Sequence, residues 1–275
     1  MTVVYPPLSR ALKDLEEEIG KPLLIRAGRH IELTQAGMLL RKRAEEILDL
    51  VEKTQEKLAG SDDMIAGDVR LGCGETDAMS YLAYIAGIIR ETHPLVRFRL
   101  YSGDADRVLE RLDRGLIDFG LLIGEVDTAK YEFIRMPMFD TWGVLMRADS
   151  PLASKPFVAP EDLVDQPLIL SHQVDRNSEL AGWFVAQPAS EQIVAMYDLV
   201  FNASLFVRQG LGYAITLDKL INTSGESELC FRPLNPPLNA QLRLVWKKYQ
   251  IFSPAVRLFL DVLKEELSKS INWRP

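Results

Sequence analysis

Carboxylates and small hydroxyl residues crowd two short stretches of this sequence, Gly74-Glu75-Thr76-Asp77 and Ser102-Gly103-Asp104-Ala105-Asp106. Each follows a β-prone run (VRLGCG, VRFRLY) and precedes a helical stretch, around residues 76–92 and 104–114. Such turns bring free backbone amides and side-chain hydroxyls to a helix start, where a polar ligand atom can be received. Thr76 is read as opening its helix, either to receive a ligand oxygen or merely to cap the helix. The four acids already complement the positive helix ends, so a second anion would meet a less favourable potential there. A ligand at these turns is therefore expected to be neutral or cationic, unless the acids turn outward and only cap their helices. Cys73 abuts the first turn and raises a redox reading, against the commoner one of a small buried thiol.

A second set of residues is basic. Residues 1–43 hold eight lysines and arginines against five acids, a net of +3, which leaves −10 for the rest of a chain of net charge −7. Arg10 lies in a helical stretch, and Arg26 and Arg29 flank a tight turn. Arginine forks suit guanine edges and phosphates, and short hydroxyls can hold a helix on a nucleic-acid backbone. A short basic element joined to a larger acidic part suggests two tasks in one chain.

Other chemistries find little footing. The sequence has no Walker A, GxGxxG, HExxH or GxSxG motif, and no spacing singles out an acid/base pair of carboxylates, so no enzyme is expected. Cys73 and Cys230 form no CxxC pattern and His30, His93 and His172 are scattered, so neither a disulfide framework nor a metal site is expected. No cofactor is expected either. MTVVYPPLSR does not read as a secretory leader and no long apolar run occurs, so a cytoplasmic protein without a membrane partner is expected.

The elements that must position these residues follow from periodicity. Leu8, Leu12, Leu15 and Ile19 share one helical face that Gly20 ends, and PLLI and HIEL flank the basic turn as a hairpin. Thr34 stands where an N-cap belongs, before a long helix. Along it Leu40, Ala44, Ile47, Val51, Thr54 and Leu58 form a heptad seam that calls for a partner helix. A polar linker covers residues 60–68. Beyond it strands and helices alternate as βαβ units, with strands at VRLGCG, VRFRLY, IDFGLLIG, PLILSH, IVAMYDL, YAIT and QLRLVW, a helix at 200–210 and a last helix at 254–269. Two α/β lobes with crossovers near residues 140 and 244 account for this order, and such lobes bind ligands in the crevice between them.

PPLSRALKDLEEEIGKPLLIRAGRHIELTQAG resembles, almost position by position, the recognition helix and wing of LysR-type transcriptional regulators. PLVRFRLYSG, DRGLIDFGLLIG, ADSPLASKPFVAPEDLVDQPLI and VRQGLGYAITLDKL are similar to further family segments at the family's spacing. The resemblance implies an α/β fold: a two-lobed sensor domain like a periplasmic binding protein, preceded by a partial winged helix-turn-helix and a long dimerisation helix. The implied divisions are 1–34 for the partial winged helix-turn-helix and 35–60 for the linker helix. Lobe I takes 66–140 and 245–275, and lobe II takes 141–244.

By resemblance, Ser9, Arg10, Arg26 and Arg29 meet operator DNA. Effector contacts are implied at Gly74, Glu75, Thr76, Ser102, Gly103, Leu122 and Ile123 in the first lobe, and at Ser171, Asp198, Phe201, Asn202 and Gly212 in the second. Self-association into a dimer or tetramer is implied along Leu40, Ala44, Ile47, Val51 and Leu58. The other implied partners are a small-molecule effector and RNA polymerase. Family members carry two further helices ahead of the recognition helix, so operator binding by these residues alone is expected to be weak. The alternative is a solute-binding module without DNA-binding activity, against which the recognition-helix and wing motif counts.

Overall fold

The computed structural model describes residues 6–27, 30–58, 65–172, 178–184 and 188–269, which fall into two compact units, 1–56 and 57–275.

In the first unit, helix α1 (Pro6–Ile19) ends at Gly20, whose φ of 71° suits a residue without a Cβ. Strands β1 (Leu24–Ala27) and β2 (His30–Leu33) pair as an antiparallel hairpin, and helix α2 follows (Gln35–Leu58). Polar contacts fasten these pieces. The Glu16 carboxylate accepts the backbone N–H groups of Leu23 and Leu24 at 2.6 and 3.0 Å, tying α1 to the hairpin. Thr34 caps α2 as expected: its hydroxyl accepts from the Gly37 N–H at 3.0 Å and donates to the Pro22 carbonyl at 2.7 Å. Gly37 is required by close approach, since a Cβ there would lie 2.1 Å from the Leu23 carbonyl oxygen.

The second unit opens with a βαβαβ sequence. Strand β3 (Gly67–Cys73) leads to α3 (Met79–Thr92), β4 (Val96–Ser102), α4 (Ala105–Asp113) and β5 (Phe119–Ile123). Helix α3 begins three residues later than the sequence suggests, with Ala78 at its N-cap; Thr76 sits in the turn before it. A 17-residue strand β6 (Tyr131–Arg147) then leaves this lobe. The second lobe holds β7 (Leu168–Ser171), the short helix α5 (Ser178–Trp183), β8 (Ile193–Tyr197), α6 (Val200–Arg208), β9 (Tyr213–Leu217) and β10 (Leu229–Pro233). Strand β11 (Asn239–Lys247) returns to the first lobe, and α7 (Pro254–Lys269) packs there.

Two sheets share β6. The first runs β4-β3-β5-β11-β6, with β3 parallel to β4 and β5 and antiparallel pairing around β11. The second uses the C-terminal end of β6, flanked by β10 and β9, and continues through β7 to β8. Both faces of each sheet are covered, as expected for parallel strands rich in aliphatic residues. On the first sheet Phe119 and Phe259 meet at 5.2 Å between ring centroids among the α3 and α7 aliphatics, while Val108, Leu112 and Val245 fill the α4 face. Trp142, Leu170 and Ile215 pack one side of the second sheet, and Val207, Ala214 and Leu229 the other.

Helix α2 carries an apolar stripe with no cover within its own unit. Ile47 is 61% exposed and Val51 46%, while Arg41–Glu45 and Arg43–Glu46 ion pairs lie among the neighbouring polar positions. Leu40 and Ala44 are half-buried, and the Leu58 side chain lies outside the described residues. A stripe of this kind asks for a second helix. Replacing Ile47 and Val51 by Glu is expected to shift the protein to smaller species in sedimentation, because each charge would be buried without a partner; a wild-type chain that is monomeric at micromolar concentration contradicts the seam.

Candidate functional site

A cavity of about 560 Å³ opens between the two lobes. Its first-lobe wall is built from the C-terminal ends of parallel strands: Gly74 and Glu75 follow β3, Gly103 to Asp106 follow β4, and Ile123 to Glu125 follow β5. Across it stand Ser171 and His172 after β7, Tyr197 and Asp198 after β8, Val200 at the start of α6, and Thr216 and Leu217 on β9. Trp142, Asn239, Gln241 and Arg243, from the strands that cross between lobes, complete it. Strand ends and helix starts therefore converge on the crevice, as open α/β sheets require.

Of the residues expected to touch an effector, Gly74, Glu75, Gly103, Ile123, Ser171 and Asp198 line this cavity. The other six lie elsewhere. Leu122 is buried against α4, one residue out of phase with Ile123 along the strand. Ser102 is exposed, and Phe201 (63% exposed) and Asn202 lie on the outer side of α6. Gly212 admits a close crossing: a Cβ there would come within 2.4 Å of the Pro167 carbonyl oxygen. Thr76 is buried, donating to the Asp140 carboxylate and accepting from the Ala78 N–H at 3.1 Å.

The positive ends of both cleft-facing helices are already occupied by the protein's own acids. Asp104 caps α4 by accepting the Arg107 N–H at 2.8 Å. Helix α6 has Leu199 at its N-cap and so no side-chain cap of its own. The carboxylate of Glu75, from the opposite lobe, accepts the Val200 N–H instead. This bond spans the crevice. Burial pushes the Tyr197 phenol up to about 12, assisted by the charge of Glu75, and its hydroxyl donates to the Ile215 carbonyl at 2.7 Å.

Arg243 is the residue that sequence reasoning missed. It stands in β11 between Leu242 and Leu244, with its side chain only 4% exposed, and its Nη atoms donate to the Gly124 carbonyl and the Glu125 carboxylate. Its Nε is buried without a hydrogen-bond partner. The signal was present: a guanidinium inside an otherwise apolar strand is rarely placed without a partner or a task.

In the first unit, Arg10 is exposed on α1, Ser9 precedes it in the same helix, and Arg26 lies in β1 opposite Ile31. Arg29 lies outside the described residues. No group of three or more potential metal-ligating side chains exists among the described residues.

Comparison with known proteins bears on both units. A model described as "LysR substrate binding domain" matches residues 63–268, and one described as "Bacterial regulatory helix-turn-helix protein, lysR family" matches residues 1–38. The chain belongs to the LysR family of transcriptional regulators. It is 26% identical over 283 residues to the hydrogen peroxide-inducible genes activator of Pectobacterium carotovorum subsp. carotovorum, covering 97% of this chain and 91% of that protein. Among solved structures, CbnR, a LysR family transcriptional regulator, matches with a TM-score of 0.71 at 16% identity, covering 96% of this chain and 90% of that one. The effector binding domain of QuiR in complex with shikimate matches with a TM-score of 0.65 at 17% identity, covering 74% of this chain and 99% of that one.

As a LysR-type regulator the chain combines a DNA-binding helix-turn-helix with an effector-binding domain, and the family is one of regulators rather than enzymes. The helix-turn-helix match disfavours a solute-binding module without DNA-binding activity. The redox reading of Cys73 gains nothing from the peroxide named for the relative above. Here the thiol is buried in β3 and desolvation pushes it up to about 11, which keeps it protonated and a poor nucleophile.

Asp140, at the point where β6 leaves the first lobe, is buried and its carboxyl is pushed up to about 6, mainly by desolvation; Asp218 and Asp77 add to this, while Thr76 and Lys219 oppose it. A carboxyl raised in the folded state contributes stability at low pH that is lost as pH rises from about 4 through about 6. Asp140→Asn, which can still accept from Thr76, is therefore expected to gain on the wild type between pH 4 and 7, by about 3 kcal/mol at most. Thermal unfolding of both proteins across that range checks it; a difference independent of pH contradicts it.

Proposed function

We propose that the interlobe cleft is the effector site of this regulator, and that its occupancy controls how the N-terminal unit engages operator DNA. The observation that carries the reading is the 560 Å³ crevice, within the ligand-sized range and lined by strand ends from both lobes. Gly74, Glu75, Gly103, Ile123, Ser171 and Asp198 are its proposed contacts, joined by Arg243 and Gln241. Among the described residues two adjacent strands, β6 and β11, connect the lobes at the crevice, so a ligand that touches both walls favours whichever lobe arrangement it binds more tightly. The effector binding domain of QuiR, similar in fold, is in complex with shikimate, which supports a ligand of that size class.

Ser9, Arg10, Arg26 and Arg29 are proposed to meet the DNA, and the Leu40 to Leu58 seam to pair two copies, with tetramers and RNA polymerase as further assemblies. Among the described residues no helix is long and apolar enough to cross a membrane, which fits a cytoplasmic regulator. Two measurements test the proposal. Replacing Arg10 and Arg26 by Ala should weaken operator binding in gel shifts and lower the slope of log K against log salt by about 1 for each phosphate no longer neutralised. Ser171→Trp should abolish thermal stabilisation by whichever compounds of a small-metabolite collection stabilise the wild type, while leaving ligand-free operator binding unchanged; stabilisation that survives places the effector elsewhere.

A further inference from the structure

The effector's charge can be read from what the cleft has left to offer. Five acidic residues, Glu75, Asp104, Asp106, Glu125 and Asp198, line it, against the single arginine Arg243. That guanidinium is neutralised by Glu125. A free helix N-terminus is the usual receptor for a ligand anion, yet the α4 start is capped by Asp104 and the α6 start by Glu75. A carboxylate effector would have to expel one of these groups and sit among the remaining acids. The Arg243 guanidinium donates both Nη atoms to Gly124 and Glu125 and its Nε is enclosed by the protein, so it leaves no cation free for an anionic ligand.

Resting on the reading of the crevice as the effector site, we infer that this regulator senses a small amine: a molecule whose protonated amino group is held by the acidic cleft. Carboxylates are refused because Glu75, a side chain of the protein itself, occupies the anion position on α6. Asp198 is exposed and has no partner among the described residues, and it supplies the cleft's readiest counter-charge.

The test uses the full chain and thermal unfolding at matched ionic strength, with ethanolamine, putrescine and agmatine as amine probes and formate, succinate and shikimate as carboxylate probes. At least one amine is expected to raise Tm by about 2–8 °C at saturation, with the shift shrinking as NaCl is added. Asp198→Asn combined with Asp106→Asn should remove that shift. Glu161→Gln with Glu191→Gln, two exposed acids outside the cavity carrying the same charge change, should not. Formate should leave the wild type unmoved yet stabilise Glu75→Ala saturably, by replacing the missing carboxylate at Val200.

Stabilisation of the wild type by carboxylates but by no amine overturns the inference, as does absence of any amine response or a Glu75→Ala variant indifferent to formate. Carboxylate binding that Ser171→Trp abolishes would sink the amine assignment and leave the cleft as effector site. An amine shift untouched by every cleft substitution would sink the cleft itself.

Discussion

The second unit is organised by one antiparallel pair. β6 and β11 run side by side from Tyr131–Lys247 to Thr141–Asn239, and the middle of β6 around Asp140–Trp142, with the start of β11 at Leu238–Ala240, carries the backbone between lobes. Beyond this point the Trp142 N–H donates to the Leu238 carbonyl at 2.9 Å and its own carbonyl accepts from Leu234 at 3.0 Å, so the crossing stays hydrogen-bonded. Paired strands resist shear but allow twist, so relative motion of the lobes is channelled into rotation about this ribbon. Side chains attached to it, Trp142, Asn239, Gln241 and Arg243, form the part of the cleft that such rotation displaces least.

Around that ribbon the lobes are buttoned by polar contacts rather than by a shared apolar core. Glu75 reaches α6, and Lys219 pairs with Asp77 at 3.4 Å. Contacts of this type are individually modest in free energy and exchange readily with water or ligand. An arrangement held in this way can be biased by a small molecule, whereas two lobes fused by a continuous aliphatic core could not. Asp140, buried between Thr76 and the crossing strands, stands apart, because its charge is disfavoured where it lies.

Much of this was legible in the sequence, and the misses have physical causes. The βαβ rhythm, the wing hairpin, the Thr34 cap and the last helix follow from periodicity and turn chemistry, which are local. The second crossover, expected near residue 244, lies earlier, since Leu242 and Leu244 already pack in the first lobe. The start of α3 was misplaced because Thr76 looks like an N-cap but commits its hydroxyl to Asp140, 64 residues away. Strand β10 was not anticipated; a five-residue run ending in proline declares itself only by pairing with Gly143–Arg147. Phe201, Asn202 and Gly212 were expected as effector contacts by family resemblance, and they do not line this cavity. A helix turns through about 100° per residue, and only Val200, at the first position, faces the crevice. Arg243 escaped because β11 was read for its place in the topology and not for the odd residue within it.

The bond between Glu75 and Val200 sets what a ligand must do to be sensed. It favours the lobe arrangement in which the two touch, and an effector can change that preference only through its differential affinity for the alternatives. A carboxylate competing for the same amide would replace one charge-assisted bond by another and gain little net preference. An amine acts on the other partner. By pairing with the carboxylates of both walls it relieves the mutual repulsion of Glu75, Asp104, Asp106 and Asp198, a repulsion that grows as the walls approach. Closure is then more favourable with the cation present than without it, and the acidity of the crevice, unfavourable in the empty protein, becomes the source of the response.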